Sequence, residues 1–110
     1  MRKRGFMAND HDLEQLTAVF RLLSDKTRLN ILMLLSEGER NVTSLCEALK
    51  LPQPTVSHHL GLLRMNNIIG NRRNGKQVFY GLNGHVEPAP EKGLQITMDD
   101  FDINIKPRSR

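Results

Sequence analysis

Short polar side chains lie close together between Pro52 and Met65, in the stretch PQPTVSHHLGLLRM. Neutral donors and acceptors of this kind can meet base edges in a DNA major groove; they are Gln53, Thr55, Ser57 and His58. Aliphatic residues recur at i, i+4 and i+7, the spacing of one buried stripe on an α-helix; they are Val56, Leu60 and Leu63. The stretch predicts a two-faced helix that could read DNA, although an ordinary amphipathic surface helix explains it equally well.

The segment before this helix predicts a second, shorter helix. It reads NVTSLCEALKL, with Thr43 or Asn41 as its N-cap and an inward face of Val42, Leu45 and Leu49. Leu51-Pro52 then forms the turn between the two helices. Two short helices joined by a tight turn, the second with a polar outer face, are typical of a helix-turn-helix.

Two further helices are predicted upstream. The first follows Asp12, its expected N-cap, and has a helical period of apolar residues at Leu13, Leu16, Phe20 and Leu23. The second begins at Ser24 or Asp25 and ends at Gly38. Its aliphatic residues surround the axis almost completely, as they do in a central buried helix. Residues 1–10 are expected to form a flexible basic arm.

The segment NNIIGNRRNGKQVFYGLN predicts two strands after the helix that could read DNA. Asn74-Gly75 between them is a typical hairpin turn, because a type I′ turn needs positive φ at both central residues. Three cations crowd the tip of this hairpin, namely Arg72, Arg73 and Lys76. A solvated basic loop is the alternative interpretation. A basic hairpin directly after such a helix favours a DNA-binding wing over residues 69–80, with its tip in a minor groove or on phosphates.

Charge is unevenly distributed along the 110 residues, whose formal net charge is +4. Residues 40–86 hold six basic residues and one acid, whereas residues 87–105 hold five acids and one lysine. A basic middle segment suits a partner rich in phosphates. The hydrophobic content of 38% is thin for a self-sufficient monomer, so oligomerisation is expected.

Cys46 is the single cysteine, which excludes an intramolecular disulfide. No apolar run approaches bilayer-spanning length, and the basic start lacks the apolar segment of a signal peptide. A cytoplasmic protein without a membrane partner is therefore expected. An enzyme is not expected, because no Ser/His/Asp or Cys/His set stands at a usable spacing and no Gly-rich phosphate loop is present.

The C-terminal segment predicts a linker followed by a β-hairpin. Residues 85–93 are rich in Pro and Gly and predict a linker. In LQITMDDFDINIK, two apolar triplets alternate out of phase, and a turn at Asp99-Asp100 brings both onto one face. The expected pairs are Met98 with Phe101, Ile96 with Ile103 and Leu94 with Ile105. The aspartates could be read as a hard-cation site, but turn chemistry and solvation explain them, so no metal is expected there.

The motifs LSDKTRLNILMLL, LPQPTVSHHLGLLR and GNRRNGKQVFYGLN resemble the winged helix-turn-helix regulators of the ArsR/SmtB family, from about Leu13 to Asn83. The resemblance implies a mostly α, α+β domain over residues 11–84. It also implies a homodimeric repressor that binds a palindromic double-stranded DNA operator through helix 53–65 and the wing. Carried over, the base contacts would be Gln53, Thr55, Ser57 and His58. The backbone and wing contacts would be Arg64, Arg72, Arg73, Asn74 and Lys76.

Three departures from the family pattern qualify this resemblance. Metal-sensing members carry cysteines where this chain has Asn41 and Thr43, and Cys46 is better explained as a small buried hydrophobe, so neither a metal nor another cofactor is expected. Gly61 stands where the family more often has Lys or Arg. The usual long terminal helix is missing, so we expect the hairpin over 94–106 to replace it in dimerisation.

The residues expected at the dimer interface belong to the first helix and to this hairpin. They are Leu13, Leu16, Phe20, Ile96, Met98, Phe101 and Ile103. An alternative function is a protein-interaction module whose acidic C-terminal segment docks on a basic partner. The low aromatic content and the basic wing favour DNA over a protein as the binding partner. The effector is not specified by any of these patterns.

Overall fold

Four helices and six strands follow one another along residues 9–108, the part of the chain that the computed structural model describes. The helices are α1 (Asp10–Leu23), α2 (Lys26–Leu35), α3 (Val42–Leu49) and α4 (Gln53–Met65). The strands are β1 (Arg40–Asn41), β2 (Ile69–Asn74), β3 (Gln77–Leu82), β4 (Val86–Ala89), β5 (Gly93–Thr97) and β6 (Asp102–Ile105).

The strands form two three-stranded antiparallel sheets, ordered β1-β3-β2 and β4-β5-β6. The first sheet contains the wing and the second contains the C-terminal hairpin. The predicted α+β winged helix-turn-helix with a C-terminal hairpin is therefore confirmed. None of the described helices is long and apolar enough to cross a membrane. The predicted basic arm lies outside the described residues, apart from Asn9 and Asp10.

Asparagine or aspartate side chains cap the first three helices by accepting backbone N–H groups that lack an intrahelical partner. Asn9 caps α1, and Asp12 completes a capping box by accepting from the Asn9 backbone. The expectation that Asp12 itself is the N-cap was wrong, because the helix begins one turn earlier. Asp25 caps α2 and Asn41 caps α3, which decides both of the alternatives that the sequence left open.

The core surrounds α2, which packs against the other three helices. Ile31 and Leu32 of α2 are fully buried, as predicted for a helix whose aliphatic residues surround its axis. They join one apolar cluster with buried residues of α3, of α4 and of the second sheet; these are Leu45, Val56, Leu60, Leu63, Val86, Leu94 and Ile96. The second sheet therefore shares a core with the helices.

The turn of the wing lies one residue later than expected. Asn74 pairs with Gln77, so the two loop residues are Gly75 and Lys76 rather than Asn74 and Gly75. Gly75 has a φ of 66°, whereas Lys76 is not among the residues with positive φ. Glycine at the first central position is the requirement of a type II′ turn, which needs positive φ only there. The expected type I′ turn was therefore wrong, although the hairpin itself is present.

The expected linker over 85–93 was wrong in part, because Val86–Ala89 forms β4. Val86 pairs with Ile96 and Pro88 pairs with Leu94 across the second sheet. Proline removes a donor, but an edge strand has one side that needs no partner, and β4 lies at the edge. The Pro and Gly content of this segment predicted an irregular linker, but burial of Val86 in the core favours a strand.

The C-terminal hairpin has the predicted register. Leu94 pairs with Ile105 and Ile96 pairs with Ile103. Met98 and Phe101 close the turn through a 2.8 Å hydrogen bond from the Met98 N–H to the Phe101 carbonyl. Ile96 is only 1% exposed within its own chain, however, so its assignment to a dimer interface was wrong.

The hairpin sits against α1 of the same chain. A groove between them is lined by Val19 and Leu22 on the helix and by Ile96 and Met98 on the hairpin. At the turn, Asp100 lies beside Asp12. A side-chain hydrogen bond to Asp12 and the charge of that residue raise the pKa of Asp100 above its ordinary value. The hairpin tip and the first turn of α1 are therefore electrostatically linked.

We predict that Asp100→Asn raises the melting temperature at neutral pH and leaves it nearly unchanged below the ordinary pKa of 3.8. A carboxyl with a raised native pKa stabilises the fold fully below its unfolded pKa, and that contribution is lost as pH rises through the native pKa. Melting curves from about pH 3 to neutral pH measure the difference. Glu87→Gln, an equal charge removal at an exposed position of β4, is the control. A parallel rise in both variants would contradict a specific role for the Asp12 contact.

Candidate nucleic-acid interface

Helix α4 presents one polar face because its opposite face is buried. Val56, Leu60 and Leu63 are each at most 1% exposed. Proline at the first turn of α4 is compatible with a helix start, since the first N–H groups have no intrahelical partner. The exposed residues of α4 are Gln53, Pro54, Ser57, His58, Gly61, Arg64 and Met65, whereas Thr55 is half-buried. Three of the four residues predicted to contact bases thus share an open surface with Arg64, and Thr55 lies at its margin.

The base of the wing adjoins the C-terminal half of this face. A shallow groove between them is lined by Gly61 and Arg64 of α4 and by Gly70 and Asn71 of β2. Arg64 therefore lies where the helix and the first wing strand meet. No atom lies within 4 Å of the Cβ position at Gly61, so packing inside the chain does not require glycine there.

Arg72 of the wing is held by two neighbours. Its Nε donates to Glu39 Oε1 at 2.9 Å, and its guanidinium lies over the Phe79 ring, 5.1 Å from the centroid. Both charged side chains are about half exposed. The sequence predicted a cation that contacts the DNA backbone at this position, and in the folded chain Glu39 already neutralises part of its charge. The neighbouring predicted contacts are exposed; they are Arg73, Asn74 and Lys76.

The wing tip leans on the first turn of α3. Asn41 Oδ1 accepts the Ser44 N–H as a cap, and its Nδ2 donates to Gln77 Oε1 at 2.9 Å. Asn41 stands at a position where metal-sensing members of the resembled family carry a cysteine. In this chain the residue caps α3 and bonds the wing instead. Within residues 9–108, no group of three or more His, Cys, Asp or Glu side chains is arranged to hold a metal ion. Cys46 packs, half-buried, against the core.

Sequence reasoning missed a contact on the side of α4 away from its exposed polar face. Arg28 of α2 reaches α4, and its Nη1 lies 3.3 Å from His59 Nδ1. Its backbone N–H donates to Asp25, and this bond together with the nearby guanidinium holds the pKa of Asp25 below its ordinary value. The only sequence signal was an arginine near the start of a helix that is otherwise strongly apolar.

The chain matches the model of a family described as "Bacterial regulatory protein, arsR family" over residues 25–69. This match covers α2, β1, α3, α4 and the beginning of the wing. It therefore contains the whole helix-turn-helix and the residues on the exposed face of α4.

Similar proteins include two curated repressors. The arsenical resistance operon repressor of Escherichia coli strain K12 is 48% identical over 69 residues, which cover 62% of this chain and 59% of that protein. The transcriptional repressor SdpR of Bacillus subtilis strain 168 is 37% identical over 65 residues, covering 59% of this chain and 72% of SdpR. The chain thus matches less than two thirds of the length of the first of these relatives.

Among solved structures, a homodimeric winged helix-turn-helix DNA-binding domain from Mycobacterium bovis is similar. It is 31% identical, with a TM-score of 0.63, and the match covers 70% of this chain and 74% of that one.

We predict that Glu39→Gln raises affinity for a random-sequence duplex several-fold and steepens its salt dependence by about one unit of slope. An exposed ion pair is worth only about 0–1 kcal/mol, so Arg72 can exchange Glu39 for a phosphate, and removing the competitor makes that contact easier. Fluorescence anisotropy at several salt concentrations measures both quantities. Glu37→Gln is the control, because its carboxylate pairs with Arg40, 3.8 Å away, outside the wing. Equal gains in both variants would indicate a general charge effect.

Proposed function

Since this chain belongs to the arsR family of bacterial regulatory proteins, we propose that it is a DNA-binding transcriptional regulator, and specifically a homodimeric repressor that binds a palindromic operator. The family consists of regulators and not of enzymes, in agreement with the absence of a catalytic motif in the sequence. Asn41 and Thr43 stand where a thiolate metal switch would need cysteines, so such a switch is not part of the proposal.

The exposed polar face of α4 beside a basic wing is the observation that carries this proposal. Ser57 and His58 offer side-chain hydrogen-bonding groups, which can meet base edges in the major groove. Arg64 lies at the junction with the wing, and cations at such a junction suit phosphates. In this arrangement the helix reads the sequence, whereas the wing and Arg64 supply affinity that depends little on sequence.

We expect Ser57→Ala and His58→Ala each to weaken binding to a preferred duplex by about 1–3 kcal/mol and to leave binding to random DNA nearly unchanged. A duplex selected from a random library by the unmodified protein serves as the preferred site. Arg73→Ala is the matched control, because loss of a phosphate contact should weaken binding to both duplexes equally. Equal losses on both duplexes for Ser57→Ala and His58→Ala would remove these residues from base recognition.

Dimerisation through α1 is the second part of the proposal. Phe20 is 52% exposed and Leu13 is 48% exposed, which is unusual for large apolar side chains on one helix. Leu16 on the same helix is half-buried. The half-buried hairpin residues Met98, Phe101 and Ile103 remain candidates for the rim of the same interface. The Mycobacterium bovis domain, which is itself homodimeric, supports a dimer.

We predict that Phe20→Ser converts the protein into a monomer that binds a two-half-site duplex at least tenfold more weakly, because two linked half-sites bind better than one. Sedimentation velocity measures the oligomeric state. Met65→Ser is the control, since Met65 is also exposed, at 79%, but belongs to α4. A Phe20→Ser protein that remains a tight dimer would exclude α1 from the interface. Deletion of the hairpin is a poorer test, because Leu94 and Ile96 fill the core of their own chain.

A further inference from the structure

Arg28 bonds to three helices at once. Its Nε donates to the Leu22 carbonyl oxygen, at the end of α1, at a distance of 2.6 Å. Its Nη1 lies 3.3 Å from His59 Nδ1 on α4 and 3.9 Å from the Asp25 carboxylate at the start of α2. The side chain is 15% exposed, so this cation has given up most of its contact with water. A largely buried arginine needs its hydrogen bonds, and here two of them leave its own helix.

The direction of the Arg28–His59 bond is determined by chemistry. A guanidinium can only donate, so His59 Nδ1 must be the acceptor and must carry no proton. In the neutral ring, Nε2 then carries the hydrogen. Arg28 therefore fixes both the orientation and the tautomer of this imidazole.

The oriented imidazole is next to a proposed base reader. The rings of His58 and His59 meet edge to face, with centroids 5.5 Å apart and planes inclined by 64°. His59 is half-buried, whereas His58 is exposed on the polar face. Contacts thus run without a break from the end of α1, through Arg28 and His59, to His58.

We propose that Arg28 is a positioning residue for DNA recognition, which acts through His59 to hold α4 in register with the end of α1. The proposal rests on the proposed function, since it assigns a role in base reading to a residue that lies behind the DNA-reading face. Because α1 is also the proposed dimer helix, the same contact sets the base-reading face of each subunit relative to the dimer axis. Half-site spacing depends on that geometry.

Arg28→Lys isolates the contact from the charge. Lysine keeps a cation near Asp25, but its single ammonium lacks the fork that bonds Leu22 and His59 together. His59→Leu removes the acceptor and keeps a good helix former. His59→Asn offers an oxygen near the place of Nδ1 and should restore the bond. These three variants and the Arg28→Lys/His59→Leu double variant form a double-mutant cycle with a conservative rescue.

Binding to a duplex selected from a random library, and to a random-sequence duplex, is measured for each variant. We expect Arg28→Lys and His59→Leu each to lose about tenfold on the selected duplex and less than twofold on random DNA. The double variant should lose no more than the larger single loss, and His59→Asn should stay within threefold of the unmodified protein. The salt dependence of binding should not change, because the Arg28 guanidinium is largely buried and is bonded to Leu22 and His59.

Several results would overturn the proposal. Losses that multiply in the double variant would show that Arg28 and His59 act independently. A loss confined to His59→Leu would make His59 itself a base reader. Equal losses on both duplexes, or a fall in melting temperature that matches the loss, would indicate a purely structural role. If Arg28→Lys fails to fold, the comparison of His59→Leu with His59→Asn still tests the proposal. Equal losses of affinity in these two variants would exclude a role for His59 as the acceptor of the Arg28 hydrogen bond.

The same measurements separate this proposal from the proposed function. An unmodified protein that selects no sequence and binds no duplex would overturn both. An unmodified protein that binds a selected duplex, combined with multiplied losses in the double variant, would overturn only the role of Arg28.

Discussion

Burial of the apolar stripe of α4 fixes which side chains this protein presents to a partner. Val56, Leu60 and Leu63 are almost completely buried, and complete burial stabilises such side chains by roughly 1.5–3 kcal/mol each. Rotating the helix by one residue, about 100°, would withdraw this stripe from α2 and α3. The outward direction of Ser57 and His58 is therefore a consequence of the core rather than of their own polarity.

The second sheet completes that core from the other end of the chain. Leu94 and Ile96 of β5 and Val86 of β4 belong to the same apolar cluster as α2 and α4. The strands approach so closely that a Cβ at Gly93 would lie 2.4 Å from the Ile105 carbonyl oxygen, which leaves room only for glycine. The hairpin is thus part of the core of its own chain, whereas α1 carries two exposed large apolar side chains, Leu13 and Phe20.

Much of the fold and of the site could be predicted from the sequence, because periodicity is a local property. A period near 3.6 assigned inward and outward faces to α4 before any neighbour was known. A period of two, with a phase slip at Asp99-Asp100, predicted the register of the C-terminal hairpin down to the pairing of Ile96 with Ile103. The order of helix, turn, helix and basic hairpin also sufficed for the family resemblance.

The tertiary structure alone decided which polar and charged groups meet. Arg28 and His59 are 31 residues apart in the chain, and Glu39 and Arg72 are 33 apart, so no local pattern could pair them. Distant contacts also explain why Val86 forms a strand in a Pro-rich segment and why Ile96 is buried in its own chain. Apolar burial depends on the total surface that the folded chain can cover, and that surface is assembled from distant segments. Periodicity predicts which face of an element is apolar, but the packing of the whole chain decides what covers it.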